Sequence, residues 1–187
     1  SKKQIVKAVA GDPIAAHREG AKVVDSMYII PVTELADVVL VSAGGSPKDI
    51  NLFQAQKALD NAKYALKQHG AIVLAAECPE GLGESVFERW INEAHNKQEL
   101  IDRLDYAFEI GGHKAGLLAK LTQEADVYLM SELQQEIVER AFLFCAQDLN
   151  AALQATEQKF GPGARVTVMP YGALTLPRLQ RNTSAPT

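Results

Sequence analysis

Short runs of β-branched and apolar residues alternate along the chain with longer stretches in which apolar positions recur every three or four residues. The short runs predict strands over residues 5–10, 27–31, 38–42, 71–76, 127–130 and 165–170, with a brief one at 143–145. The longer stretches predict helices from Asp12-Pro13 to about Asp25, from Ser46 to near Gly70, and over 84–94, 97–108, 113–125, 134–140 and 148–160. Ser46-Pro47-Lys48-Asp49 reads as a helix start. Serine accepts a bond from a free amide, proline suits the first helical position, and aspartate favours the positive end. Gly70 reads as the glycine just past that helix. The apolar run 71–76 fits a strand covered on both faces. Strands separated by helices predict an α/β fold, a mainly parallel sheet flanked by helices in a Rossmann-like three-layer arrangement. Residues 1–177 are expected to form a single domain and 178–187, poor in apolar residues, a loosely ordered tail.

The predicted helix after Gly44-Gly45 changes this picture most. At 100° per residue it divides into three faces. Leu52, Ala55, Ala58, Leu59, Ala62, Ala65 and Leu66 form a core stripe. Gln56, Asp60, Lys63 and Lys67 form a solvated stripe. A third face carries Ile50, Phe53, Gln54, Lys57, Asn61 and Tyr64. An ordinary surface helix needs only the first two. Aromatic rings, a cation and two amides suit a binding surface, in which lysine holds a carboxylate or polarises a carbonyl and glutamine orients it. The competing reading is a domain-packing face with one solvated lysine. Gly44 and Gly45 permit a sharp turn. No GxGxxG or GxxxxGK[ST] accompanies them, so a tight turn explains them better than a phosphate loop.

Composition narrows the classes. The 187 residues are 47% hydrophobic and 22% charged, as in a globular domain, with a net charge of −4. That charge argues against nucleic acid as a partner. Cys78 and Cys145 suggest neither a disulfide framework nor a metal cluster. Both read as small packing residues in a reducing, cytoplasmic compartment. No apolar run is long enough to span a membrane. Gly111-Gly112-His113-Lys114 offers a basic pair at a helix start, suited to a ligand or to another domain. Glu80-Gly81-Leu82-Gly83-Glu84 lies where α/β proteins place binding loops, with a flexible rim or a helix cap as the plainer reading.

The string SAGGSPKDINLFQAQKALDNA, with AGDPIAAHREGA, EGLGE, GGHKA and VTVMPYGALTLP, resembles the carboxyl-terminal domain of the nickel-pincer-nucleotide lactate racemase family over about residues 5–177. The resemblance implies one domain of a larger two-domain enzyme that racemises or epimerises 2-hydroxy acids. Hydride passes between C2 and a pyridinium cofactor bearing nickel. The lysine and histidines that hold this cofactor belong to the amino-terminal domain, so no metal or cofactor is expected on this fragment, and the isolated chain is expected to be inactive. The family's substrate-side glutamine and lysine fall on Gln54 and Lys57. Phe53 stands where the lactate enzyme has tyrosine, so a related 2-hydroxy acid with another side chain fits at least as well as lactate. Gly44, Gly45, Asn61, His113 and Lys114 are further candidates for the cleft or for contact with the amino-terminal domain. The alternative is a non-catalytic α/β module that binds a small acid or a nucleotide. A nicotinamide-dependent oxidoreductase is disfavoured by the missing dinucleotide fingerprint.

Overall fold

The structure is a computed structural model describing residues 4–180. In chain order it contains helix α1 (Pro13–Tyr28), strands β1 (Ile29–Val32) and β2 (Ala36–Ser42), helix α2 (Leu52–Ala62) and strand β3 (Leu66–Ala75). Helices α3 (Ser85–Glu93), α4 (Lys97–Tyr106) and α5 (Gly112–Glu124) follow. Then come β4 (Asp126–Met130), α6 (Gln135–Arg140), β5 (Phe144–Cys145), α7 (Leu149–Phe160), β6 (Val166–Met169) and β7 (Leu176–Leu179).

Five strands form a parallel sheet in the order β5-β4-β3-β2-β6. Alternate residues feed opposite faces, as strand geometry requires. Val39, Val41, Ile72, Leu74, Val127 and Leu129 face the main core, shared with Leu59, Phe87, Trp90 and Leu118 of α2, α3 and α5. Val38 and Val73 pack on the other side with Ala152 of α7, beside Leu40, Tyr128 and Phe160. The α/β, three-layer expectation therefore holds. From β2 the chain moves outward through β3, β4 and β5, then returns to place β6 on the far side of β2. The reversal in strand order lies between β2 and β6, where open α/β sheets form their ligand crevice. The turn leading into α2 lies at that edge.

A separate two-stranded parallel ladder joins β1 to β7. It corrects the boundary of the expected tail, since Arg178 and Leu179 are strand residues; residues 181–187 lie outside the described ones. The strand expected at 5–10 does not form. Those residues run beside α1 with no neighbouring strand among the described residues, leaving Ile5 87% and Val6 70% exposed. Strand propensity has no ladder to act through there. Met27, assigned to a strand, continues α1.

The opening helix also differs from expectation. Residues 46–50 form a turn in which the Lys48 amide donates to the Gly45 carbonyl at 2.8 Å, and Asn51 is the cap. The helix ends at Ala62, and a single 3-10 turn, Lys63–Ala65, leads into β3. Tyr64 and Lys67 therefore leave the faces assigned to them. Gly70 is a strand residue, where a Cβ would lie 2.7 Å from the Asp37 carbonyl oxygen. It permits close approach near the register slip of β2 against β3. Cys78 is buried as expected, whereas Cys145 is exposed.

Candidate functional site

The site grows from the first turn of α2. The Asn51 side-chain oxygen accepts from the Gln54 amide at 2.9 Å. The Leu52 and Phe53 amides donate to the carbonyls of Gly81 and Leu82 at 3.1 and 3.0 Å. Three amides that a helix start would otherwise offer to an anion are thus taken. The EGLGE segment is a positioning loop for α2. Gly83 lies against the cap, since a Cβ there would sit 2.4 Å from Asn51 Cγ. Its last residue, Glu84, caps α3 by accepting from the Val86 and Phe87 amides at 3.1 and 2.9 Å.

With its start fixed, α2 presents Phe53, Gln54 and Lys57 together. Lys57 Nζ donates to Gln54 Oε1 at 2.7 Å on the exposed side. That bond leaves the Gln54 amide NH2 and two ammonium hydrogens available. Phe53 packs edge-on to Phe87, ring centroids 5.6 Å apart.

Lys114 of α5 joins them. Its Nζ donates to the Phe53 carbonyl and lies 4.2 Å from the Phe53 ring centroid. Burial brings its pKa down to about 8; Asp60 opposes that shift and Lys57 adds to it. Gln56 ties the same helices together, donating from Nε2 to the Lys114 carbonyl at 2.9 Å. Assigned to a solvated stripe, Gln56 is instead 1% exposed, and its Oε1 has no hydrogen-bond partner among the described residues. Polar residue type predicted solvent; α5 covers the position instead.

The remaining candidates divide. Asn61 donates to the Gly172 carbonyl at 2.7 Å and so holds the turn after β6 against α2. Gly44 (φ 101°) and Gly45 (φ 75°) make the turn after β2, and a Cβ on Gly44 would sit 3.9 Å from the Tyr171 ring. They shape the crevice edge. His113 turns elsewhere: its Nδ1 accepts from the Gly111 amide at 3.2 Å, and its ring stacks on Phe108. The glycines before it serve packing. A Cβ on Gly111 or Gly112 would collide with Glu84 or with the Trp90 ring.

Chemically, the cluster offers amines and an amide, donors for an oxyanion. Among the described residues, no group of three or more His, Cys, Asp or Glu side chains is placed to hold a metal ion. No helix among them is long and apolar enough to cross a membrane.

Comparison with known proteins bears on the same fold. The lactate racemase of Thermoanaerobacterium thermosaccharolyticum is 29% identical over 184 residues, 95% of this chain and 43% of that protein. The lactate racemase of Lactiplantibacillus plantarum is 26% identical over 175 residues, 91% of this chain and 41% of that protein. The chain thus spans about two-fifths of the length of these relatives. The solved apoprotein of the Thermoanaerobacterium enzyme superposes with a TM-score of 0.80 at 28% identity, over 87% of this chain and 40% of that one. A protein from Thermotoga maritima shares the fold at 14% identity and a TM-score of 0.62, over 89% of this chain and 42% of that one. Residues 32–176 match the family described as the lactate racemase C-terminal domain, and the chain belongs to that family.

Proposed function

We propose that this chain is the substrate-side domain of a 2-hydroxy-acid racemase or epimerase, completed by an amino-terminal domain. The observation that carries the reading is the Lys57–Gln54 pair, hydrogen-bonded at 2.7 Å and presented beside Phe53. In this reading Lys57 holds the substrate carboxylate, and the Gln54 amide NH2 orients an oxygen next to it. Phe53 forms an apolar wall. Racemisation requires both enantiomers and the planar 2-oxo acid between them to share one anchor. A carboxylate held by Lys57 meets that need, because it stays fixed while the groups on C2 rearrange.

The nickel-pincer nucleotide implied by the resemblance does not fit the donors here, since two amines and an amide do not form a soft-metal ligand set. In this reading the amino-terminal domain holds it, and hydride exchange at C2 is the chemistry it supplies there. The isolated chain then racemises nothing. The unpaired cysteines suit a cytoplasmic setting.

The test is Lys57→Ala in the full-length holoenzyme. Turnover of its 2-hydroxy acid falls by about a hundredfold or more, the scale of losing one positioned charge donor, while the melting temperature is unchanged. Wild-type turnover in that variant overturns the assignment.

A further inference from the structure

The segment between α4 and α5 inverts the usual polarity of a surface loop. Tyr106, Phe108 and Ile110 alternate along it and are 77%, 71% and 80% exposed. Between them Glu109 turns inward to α3. Its carboxylate accepts from Arg89 Nη2 at 2.6 and 2.7 Å and from Trp90 Nε1 at 3.0 Å. A charged group therefore faces the domain while three large apolar side chains face away from it. Single exposed apolar residues are ordinary, but three grouped together mark an interaction surface. The backbone of the segment is braced as well. The Glu109 carbonyl accepts from the His113 amide at 3.1 Å. Gly111, at φ 94°, lies so close to Glu84 that a Cβ would collide with its carboxylate. The patch also adjoins the candidate site. The Phe108 ring stacks on His113 with centroids 5.4 Å apart, and the next residue, Lys114, bonds the Phe53 carbonyl.

We propose that Tyr106, Phe108 and Ile110 are a docking surface for the amino-terminal domain of the same polypeptide, which they seat beside the face carrying Phe53, Gln54 and Lys57. This rests on the reading that such a domain completes the site. Two observations select that occupant. The chain spans 43% and 41% of the two lactate racemases it resembles, so more than half of each relative lies outside the matched part. The patch is also continuous with the cluster, whose Lys57–Gln54 bond lies on the exposed side. A domain that closes over Lys57 meets the neighbouring apolar residues too. Aromatic and aliphatic side chains free of charge suit the centre of such an interface. They orient the incoming domain by shape and leave the lysines to the substrate.

The experiment uses full-length holoenzyme as wild type, as the double variant Phe108→Ser with Ile110→Ser, as the apolar control Phe108→Leu with Ile110→Val, and as Lys57→Ala. It follows amide hydrogen exchange in the amino-terminal domain, the radius of gyration in solution, and turnover of lactate. In the serine variant, exchange is expected to speed up about tenfold or more over one patch of the amino-terminal domain. The radius of gyration rises, and turnover falls about tenfold or more as the two halves of the site lose their alignment. The apolar control stays close to wild type. Unchanged exchange in the amino-terminal domain of the serine variant overturns the proposal, as does an apolar control that matches the serine variant. A wild type that is dimeric and a serine variant that is monomeric, with amino-terminal exchange unchanged, assign the patch to a second copy and also overturn it. Should the serine variant fail to fold, Phe108→Ala alone is read by the same criteria. If Lys57→Ala is inactive while the serine variant keeps its interdomain protection, only the docking surface falls. If Lys57→Ala keeps wild-type turnover while the serine variant loses that protection, the carboxylate anchor falls and the docking surface stands.

Discussion

Helices α1 and α2 carry similar amphipathic patterns and meet opposite fates. α2 buries Leu52, Ala55, Gln56, Ala58, Leu59 and Ala62. α1, five residues longer and well capped by Asp12, buries none. Its Ile14, Val24 and Met27 remain 63%, 52% and 46% exposed. The family match begins at residue 32, just beyond it. Periodicity therefore reports that a face is apolar, not whether this domain covers it. Covering also decides chemistry. Where α5 lies on α2 it buries a glutamine and lowers a lysine pKa; among the described residues no helix covers α1 in that way.

The largest test of this contrast is truncation on each helix. Leu59→Ala, at a position with no exposure, is expected to cost about 2–5 kcal/mol in denaturant unfolding. Val24→Ala on α1 is expected to cost less than about 0.5 kcal/mol. Equal costs would break the comparison. Adding a methyl group sharpens it on a smaller scale. A Cβ on Gly172 would sit 2.2 Å from Val41 Cγ2 and 2.9 Å from Ala58 Cβ. Gly172→Ala is therefore expected to destabilise by about 1–3 kcal/mol. Gly20 in α1 has only Val9 Cγ2 near, at 3.6 Å. Gly20→Ala is expected to stabilise by about 0.5–1 kcal/mol, through helix propensity.

A different kind of effect is a pH slope. Lys114 has a folded pKa of about 8, below its ordinary 10.5, chiefly through burial. Between those values the unfolded chain holds more protons than the folded one, so this group makes stability rise with pH across the window. At pH 7 the buried ammonium opposes folding. Lys114→Met is expected to remove the slope between about pH 8 and 10.5. Urea titrations across that range check it, and an unchanged slope excludes Lys114 as its source.

The parallel sheet was legible because its strands are dense in β-branched residues and bounded by glycine, proline or a helix cap. Phe53, Gln54 and Lys57 were legible because they share one side of a regular helix. The strand at 5–10 was misread because propensity cannot supply a partner. β7 was missed because Leu176–Leu179 contains a proline and pairs only with β1, far away in sequence. Ser46-Pro47-Lys48-Asp49 reads as a helix start because that tetrapeptide caps well in isolation. Asn51 prevails because the Gly81 and Leu82 carbonyls meet the next amides, a contact set by tertiary structure. Gln56 had no sequence signal at all. Its burial depends on where α5 falls, and helical spacing within α2 does not encode that.

The β1–β7 ladder has a mechanical consequence. The chain enters it at Ile29, beside Leu176, and leaves at Leu179, beside Val32. The strands run parallel, so these entry and exit points lie at opposite ends. Tension between α1 and the chain beyond Leu179 then slides one strand along the other and loads all rungs together, whereas a hairpin would open one rung at a time. The five-stranded sheet behind it is spared that load until the ladder yields.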